Sequence, residues 1–327
     1  MNRFLYKYMP LRASFFDEPM IRATPALELN DPFECRFNDD QIKDADRNHR
    51  EYCREKGKDV YDIDDYMLND LAVTIQDGFT ELGIISFTED YNNPLMWAHY
   101  ADEHRGLVVE FDFNKPFFMD SVTELNGRSS RFGESCLGDV FEFPEKVNYR
   151  REMPDFSRVE LSTPDDMNEF HLKKFIRTIL FTKSNDWIYE KEQRSVVRLI
   201  DADSIICKDN EHVRKECQKD PSIRLLELDD GRIQVIYPPE YEMHEDMGDQ
   251  SIKDEIYFLS FKFCEPAVYL FRINPEAISG VYFGYKSDYR EALEKIKKNK
   301  SLSLFNQRFK MEINSHLYQL DKVKLEE

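Results

Sequence analysis

Residues 83–113, GIISFTEDYNNPLMWAHYADEHRGLVVEFDF, carry the clearest secondary-structure pattern in the chain. The segment 83–88 is apolar with short polar side chains at its end, which predicts a strand, and 107–113 predicts a second strand. Between them, 95–102 predicts a helix. Strand, helix and strand fit within about thirty residues, the size of a compact βαβ-like unit.

The predicted helix has signals at both ends. Asn92 or Asn93 can serve as the N-cap, because an asparagine side chain accepts a hydrogen bond from an unpaired backbone N–H of the first turn. Pro94 suits that first turn, where the backbone nitrogen needs no helical partner. Gly106 suits the position after the helix, where the backbone often turns left-handed.

The rest of the chain predicts an α+β fold with a mixed or antiparallel central sheet and peripheral helices. We expect one domain over residues 1–327, because no internal repeat or linker interrupts the sequence. Further strands are predicted at 4–8, 21–24, 187–200, 231–237, 256–261, 280–284 and 309–325, and further helices within 38–82, at 170–182 and at 287–298.

Two charged segments are predicted to be insertions in this domain. The segment 38–82 is predicted to be a helical insertion, since its apolar residues recur at three- and four-residue spacing. The acidic segment 201–255 is predicted to be an irregular insertion that contains one short strand.

The composition excludes several classes of protein. The chain has 327 residues, 64 of them acidic and 45 basic, for a formal charge of −19. This charge argues against an extended nucleic-acid-binding surface, while 13% aromatic residues argue against disorder. No apolar window has the length of a membrane span, and the scattered cysteines form no CxxC pair. We expect a cytoplasmic protein without a membrane partner and without a bound metal.

Common catalytic motifs are missing from the sequence. It contains no GxxxxGK[ST] phosphate loop, no GxGxxG turn, no HExxH helix and no GxSxG elbow. Most NTPases, dinucleotide-fold enzymes, zincins and serine hydrolases are therefore disfavoured.

The segment 189–194, YEKEQR, is the first candidate for chemistry. On a strand, Glu190, Glu192 and Arg194 would point to one face, because side chains alternate with a period of two. Two carboxylates on one face can bind substrate hydroxyls or stabilise a developing cation, with the guanidinium holding one of them. The same charges also fit a solvated edge strand that resists pairing with another sheet.

Two further segments offer binding groups. The strand end supplies the hydroxyls of Ser86 and Thr88 beside a helix N-terminus, which attracts anions. An ordinary capped helix explains the same residues. In the first strand, two tyrosines flank a lysine and can clamp a planar heterocycle and its phosphate, or simply form a strand with a snorkelling lysine. The cofactor-binding candidates are Tyr6, Lys7, Tyr8, Ser86, Thr88, Trp97, His99 and Tyr100.

Taken together, these motifs resemble a widespread bacterial family known as a domain of unknown function. The resemblance rests on LYKY at 5–8, LNDPFE at 29–34, GIISFTED at 83–90, LMWAHYADEHRG at 95–106 and WIYEKEQR at 187–194. It covers about residues 4–200 and implies no activity.

The order of elements also resembles the ADP-ribosyltransferase fold. Such enzymes carry a basic residue on a first strand, a Ser-Thr element on a second strand and an ExE motif on a later strand. The resemblance implies that Lys7 or Tyr6 takes the first position, that Ser86 and Thr88 take the second, and that Glu190-Lys191-Glu192 is the ExE motif.

By the same resemblance, Glu192 would bind the nicotinamide-ribose hydroxyl of NAD and stabilise an oxocarbenium-like transition state. Glu190 would orient the acceptor nucleophile. The sequence departs from the pattern in having no arginine in the LYKY strand and no full Ser-Thr-Ser element. We expect an enzyme that uses NAD as a substrate and modifies an unidentified acceptor macromolecule, in phage defence or in a toxin-like role.

Two alternatives remain open from the sequence. In a metal-dependent nuclease, Mg²⁺ would be bound by Asp31, Glu34, Glu190 and Glu192. In a non-catalytic protein, an acidic face would bind a basic partner.

Overall fold

The computed structural model describes residues 4–57, 59, 65–119, 144–156, 167–239, 247–261, 266–302 and 307–325. Its strands, in chain order, are β1 (Phe4–Met9), β2 (Met20–Pro25), β3 (Leu82–Thr88), β4 (Leu107–Asp112), β5 (Glu145–Lys146), β6 (Asn148–Arg150), β7 (Thr182–Ser184), β8 (Glu192–Arg198), β9 (Ser204–Lys208), β10 (Arg224–Glu227), β11 (Arg232–Ile236), β12 (Val268–Arg272), β13 (Ile278–Phe283), β14 (Gln307–Ile313) and β15 (Leu320–Lys324).

The helices over the same ranges are α1 (Asp39–Glu55), α2 (Asp65–Thr80), α3 (Pro94–Tyr100), α4 (Met167–Leu180), α5 (Glu211–Cys217), α6 (Met247–Phe261) and α7 (Arg290–Lys298). Both α1 and α2 lie in the segment 38–82, of which residues 58 and 60–64 lie outside the described ranges. That the segment is an insertion stays a prediction. None of the helices in the described part of the chain is long and apolar enough to cross a membrane.

Eleven strands of one large sheet follow the order β10-β11-β9-β12-β2-β3-β1-β4-β13-β14-β15, and a separate pair is formed by β6-β7. Two more strands belong to the large sheet, because β8 pairs with β3 and β5 pairs with β8. The pairs β13-β14 and β6-β7 are parallel, and the other pairs are antiparallel. The fold is therefore α+β with a mixed, mostly antiparallel sheet, as the sequence predicts. The fully buried core includes Phe79, Ile85, Phe111, Phe271 and Phe283.

Strand β3 is the central element of the sheet. One of its edges pairs along its whole length with β8, from Leu82–Arg198 to Thr88–Glu192. The other edge is shared by two strands, because β2 pairs only with the start of β3 and β1 pairs only at Tyr6–Thr88. Strand β1 lies between β3 and β4, so the predicted strand–helix–strand unit has an antiparallel strand inserted within it.

The start of helix α3 is confirmed and its end differs from the prediction. The Asn93 side chain accepts a hydrogen bond from the Leu95 backbone at 3.0 Å, and Pro94 is the first helical residue. The helix ends at Tyr100, and three residues with positive φ follow it, Asp102, Glu103 and His104. Residues 101–102 are thus outside the helix, and Gly106 is not the residue that turns the chain.

Glycine is required at position 106 because the backbones of Met9 and Ala101 lie too close to leave room for a side chain. A Cβ atom at this position would lie 2.3 Å from the Met9 carbonyl oxygen and 2.8 Å from the Ala101 carbonyl oxygen. Both are backbone atoms, which cannot move aside as a flexible side chain can. The absence of a side chain lets the turn after α3 pack against the end of β1.

The segment 201–255 is more regular than the irregular insertion that we predicted. It contains β9, α5, β10, β11 and most of α6, while residues 240–246 lie outside the described ranges. Alternate residues of β9 and β11, such as Ile205, Cys207, Ile233 and Val235, are fully buried. Alternating buried apolar residues are typical of core strands. In the sequence this pattern is difficult to recognise, because acidic residues dominate the segments between the strands.

Three predicted strands have different boundaries or a different structure. Residues 256–261 belong to α6, whose buried residues Lys253, Ile256, Tyr257 and Ser260 recur at helical spacing. A short apolar run read alone does not distinguish a strand from a helix. The segment 309–325 forms the hairpin β14-β15, and 187–191 precedes β8 as part of a turn described below.

We predict that Gly106→Ala lowers the free energy of unfolding by about 1–3 kcal/mol, because the added methyl group overlaps two backbone carbonyls. Denaturant titration measures the change. Lys297→Ala, an exposed position on α7, is the control and should change it by less than about 0.5 kcal/mol. Equal effects of the two substitutions would contradict the close approach.

Candidate active site

A cleft opens where β1 and β2 separate along the edge of β3. Between the pairs Thr24–Ile84 and Tyr6–Thr88, the middle of β3 has no ladder partner on this edge. The Lys7 ammonium group fills the gap, donating to the Ser86 carbonyl oxygen at 2.7 Å. The cavity here has a volume of about 270 Å³ and is lined by Tyr6, Lys7, Tyr8, Arg22, Thr24, Glu28, Leu29, Asn30, Glu34, Ser86, Phe87, Thr88, Met96, Tyr100, Lys183, Glu190 and Glu192.

Sheet register brings three of the predicted residues into one row. Tyr6 pairs with Thr88, and Thr88 pairs with Glu192, so the three side chains occupy the same face of adjacent strands. Ser86 lies two residues before Thr88 on that face, and its side chain forms a hydrogen bond with Glu192. Residues far apart in sequence therefore meet in the cleft through strand pairing.

Glu190 reaches the cleft by a different route from the predicted one. Residues Asn185–Glu190 form a 3-10 helix, and Lys191 follows in the left-handed conformation with φ 46°. Strand β8 begins only at Glu192. The prediction that Glu190 and Glu192 share a strand face is wrong, because the Ser184 side chain accepts from the Asp186 backbone and starts a turn there. The two carboxylates nevertheless meet at one cation.

That cation is the ammonium group of Lys183, on β7. Its Nζ atom lies 2.6 Å from Glu190, 3.0 Å from Glu192 and 3.2 Å from Glu34. All four residues are buried, and the Lys183 side chain is only 8% exposed. Burial alone would lower the pKa of Lys183, but Glu192 and Glu190 raise it above the usual value. Lys183 is therefore charged and neutralises part of a buried carboxylate cluster.

Arg194 is the second cation of this cluster. Its Nε atom donates to Glu192 at 2.8 Å, it forms an ion pair with Glu34, and it donates to the Leu180 carbonyl oxygen at 2.7 Å. Arg194 is fully buried and does not line the cavity. It therefore contacts Glu192 without facing the cavity, and a role for Arg194 in catalysis stays a prediction.

Burial and charge act on Glu192 in opposite directions. Burial raises the pKa of Glu192, the Lys183 ammonium group lowers it, and the Glu190 carboxylate raises it, with a net increase. A buried carboxylate is retained as an anion only where cations and hydrogen bonds surround it. Lys183, Arg194 and Ser86 together provide this environment for Glu192.

The helix α3 contributes one candidate to the cleft and two that lie elsewhere. The Tyr100 hydroxyl donates to Glu190, and burial together with that carboxylate raises the pKa of Tyr100. Trp97 is fully buried in a second core cluster and donates to the Tyr91 carbonyl oxygen. His99 is exposed and contacts the Tyr189 hydroxyl at 3.3 Å. Trp97 and His99 do not line the cavity, so the structure does not bring these two predicted cofactor-binding residues together with the others.

Tyr8 lines the cavity and also supports the start of α3. Its hydroxyl donates to the Asp90 carbonyl oxygen at 2.9 Å and accepts from the Asn93 backbone at 3.2 Å. The strand β1 thus fixes the cap of the neighbouring helix while it forms one wall of the cleft.

The side chains of the cleft come from two parts of the chain, residues 6–34 with β3, and residues 96–192. The second part falls within a match to a protein family. Residues 96–195 match a family described as protein of unknown function (DUF2971). The match confirms the expected similarity to a domain-of-unknown-function family. The DUF2971 match includes Tyr100, Lys183, Glu190 and Glu192, whereas β1 and β3 lie outside it. No curated protein and no solved structure matches the chain.

Lys183 is the main residue of the site that sequence reasoning missed. It stands in Thr182-Lys183-Ser184, where a single lysine among polar residues has no distinguishing pattern. The sequence offers Glu34 as a magnesium ligand and as part of the LNDPFE motif at 29–34, and not as a partner of a lysine. Over the described ranges, no group of three or more His, Cys, Asp or Glu residues is arranged to hold a metal ion. The position between Glu34, Glu190 and Glu192 is instead occupied by the lysine ammonium group.

We predict that Lys183→Met lowers the free energy of unfolding by about 3–5 kcal/mol, because it leaves three buried carboxylates with one cation fewer. Chemical denaturation at neutral pH measures the loss. The control is Lys191→Met, which removes an exposed ion pair with Asp90 and should cost less than about 1 kcal/mol. Similar losses in both variants would show that the cluster does not depend on Lys183.

A second prediction concerns Lys7, which is half-buried. Burial lowers its pKa to about 8 in the folded protein, against about 10.4 in an unfolded chain. Between these values the unfolded chain binds more protons at this residue, so its contribution to the free energy of unfolding rises with pH. Relative to Lys7→Met, the wild-type protein should therefore gain stability from about pH 8 to about pH 10.4. Parallel stability curves over that interval would contradict a neutral amine in the cleft.

Proposed function

We propose that this protein transfers ADP-ribose from NAD to an acceptor. The observation that carries the proposal is the strand order β8-β3-β1, which sets Glu192, Thr88 and Tyr6 in one row, with Ser86 bonded to Glu192 and Lys7 beside them. These are the groups that the resemblance to ADP-ribosyltransferases assigns to the site. A role in phage defence or as a toxin-like enzyme in the cytoplasm stays a prediction.

In the proposed reaction, Glu192 lies against the nicotinamide ribose. The bond between the ribose and nicotinamide breaks, nicotinamide leaves with the electron pair, and positive charge develops on the ribose. A buried carboxylate that is already oriented stabilises such a cation without reorganising. Ser86 and Arg194 supply that orientation through hydrogen bonds to Glu192.

The phosphates of NAD need cations, and the cleft offers two. Lys7 lies beside Ser86 with its ammonium group on the cavity wall, and Arg22 lines the same cavity. Arg22 forms no ion pair with a carboxylate among the residues that the structure describes. An arginine without a carboxylate partner can bind a diphosphate with two parallel hydrogen bonds. The tyrosine rings of Tyr6 and Tyr8 on the same wall suit the planar nicotinamide.

Glu190 is the group assigned to the acceptor. It lines the cavity next to Glu192, and it accepts hydrogen bonds from Tyr100 and Lys183. In the proposed reaction the nucleophile of the acceptor approaches the ribose beside Glu190 and forms the new bond as nicotinamide leaves. Its proton passes to the Glu190 carboxylate, which acts as a general base.

The nuclease alternative receives less support from the same geometry. A magnesium ion bound by Glu34, Glu190 and Glu192 would have to displace the Lys183 ammonium group, which is within 3.2 Å of all three. Asp31 accepts from the Phe33 backbone and is not part of that contact. A lysine in place of a divalent cation favours group transfer without a metal at these carboxylates.

We predict that Glu192→Gln lowers the rate of nicotinamide release from NAD by about 10²–10³-fold, because the neutral amide no longer stabilises the ribose cation. Chromatography of purified protein with NAD measures the release, with water as the acceptor when no other is present. The matched control is Glu312→Gln on β14, an exposed carboxylate with the same change in charge, which should leave the rate unchanged.

A second variant covers the case in which Glu192→Gln disturbs folding. Ser86→Ala removes the hydrogen bond to Glu192 and leaves its ion pairs in place, so it should lower the rate by roughly tenfold and the free energy of unfolding by about 1–2 kcal/mol. No nicotinamide release by the wild-type protein, with water or with cell extract as the source of acceptors, would overturn the proposal.

A further inference from the structure

A second cavity lies on the other side of the Lys183–Glu34 ion pair. It has a volume of about 350 Å³, and both Lys183 and Glu34 line it as well as the first cavity. The small sheet β6-β7 forms part of its wall, because Arg150 pairs with Ser184 and both line the cavity. The two cavities are thus neighbours separated by a buried ion pair.

Three arginines line this second cavity, Arg36, Arg150 and Arg151. All three are exposed, and none forms an ion pair with a carboxylate in the described part of the chain. This is unusual in a protein with 64 acidic residues and 45 basic ones, where many other arginines are paired, as Arg214 and Arg232 are. Unpaired guanidinium groups around one concavity are a binding surface for an anion, and phosphate matches their geometry.

The acidic residues of the lining favour a ligand with hydrogen-bond donors as well. Glu34 is engaged by Lys183 and Arg194, the buried Asp31 accepts from the Phe33 backbone, and Glu152 and Asp186 are exposed. Carboxylates accept hydrogen bonds from hydroxyl and amino groups and repel a bare anion. A mixed lining of this kind fits a phosphate that is attached to a sugar or a base better than it fits inorganic phosphate.

Phe33 supplies an apolar surface at the same cavity. Its side chain is 68% exposed although it is large and hydrophobic. The turn that carries it is fixed, since the Asp31 side chain accepts from the Phe33 backbone at 3.0 Å. An exposed aromatic ring beside arginines is the combination on which a nucleobase stacks while its phosphate is bound.

We infer that the second cavity binds a nucleoside phosphate, with the phosphate on Arg36, Arg150 and Arg151 and the base against Phe33. The volume of about 350 Å³ is at the lower end of small-molecule sites and suits one nucleotide. The inference does not rest on the transfer reaction proposed above, because it concerns binding by a different set of side chains.

The test is calorimetric titration of the purified protein with adenosine 5′-monophosphate, adenosine and inorganic phosphate. The double variant Arg150→Gln/Arg151→Gln should weaken binding of the nucleotide by roughly tenfold or more, and raised salt should weaken it further in the wild-type protein. The matched control is Arg54→Gln, because Arg54 is also exposed and unpaired within the described ranges but lines neither cavity.

A further variant separates the base from the phosphate. Phe33→Ala should weaken binding of the nucleotide by roughly fivefold and leave binding of inorganic phosphate unchanged. The inference is overturned if the nucleotide does not bind, or if the double variant binds it no more weakly than Arg54→Gln does. It is also overturned if inorganic phosphate binds as tightly as the nucleotide.

Discussion

The ammonium group of Lys183 contacts three carboxylates that come from different elements of the fold. Glu34 comes from the loop after β2, Glu190 from the end of a 3-10 helix and Glu192 from the start of β8, and all three contact its Nζ atom. In a buried site, carboxylates so close together would repel one another strongly without a cation. The carboxylates that lie between the two cavities are therefore held by Lys183, with Arg194 contacting two of them.

The sheet adds a second constraint on the same cleft. Strand β3 is paired along one edge by β8, but on the other edge β1 and β2 share it and leave a gap at Ser86. An unpaired backbone carbonyl in a partly buried position needs a donor, and Lys7 provides it at 2.7 Å. The lysine that the resemblance assigns to ligand binding thus also completes the sheet, so its two roles cannot be separated by substitution alone.

Local signals in the sequence predict helices and strands. The arrangement of side chains in the cleft depends on contacts between residues far apart in the sequence, which local signals do not reveal. Asn93 and Pro94 marked the start of α3 because capping depends on neighbouring residues, and the strands on either side followed from composition. The strand predicted at 256–261 is part of a helix, since its apolar run cannot be interpreted without the residues before it. Lys183 gave no local signal, because its partners lie 7, 9 and 149 positions away along the chain.

The formal charge of −19 says little about what either cavity binds. A charge in water is screened within about 8–10 Å at moderate ionic strength, so a ligand interacts mainly with the groups that surround it. In the two cavities those groups include Lys7, Arg22, Arg36 and Arg150, none of which has a carboxylate ion-pair partner in the described residues. Three of the nearby glutamates are already compensated by Lys183 and Arg194. The acidity of the chain and an affinity for phosphates are therefore compatible, because they belong to different parts of the surface.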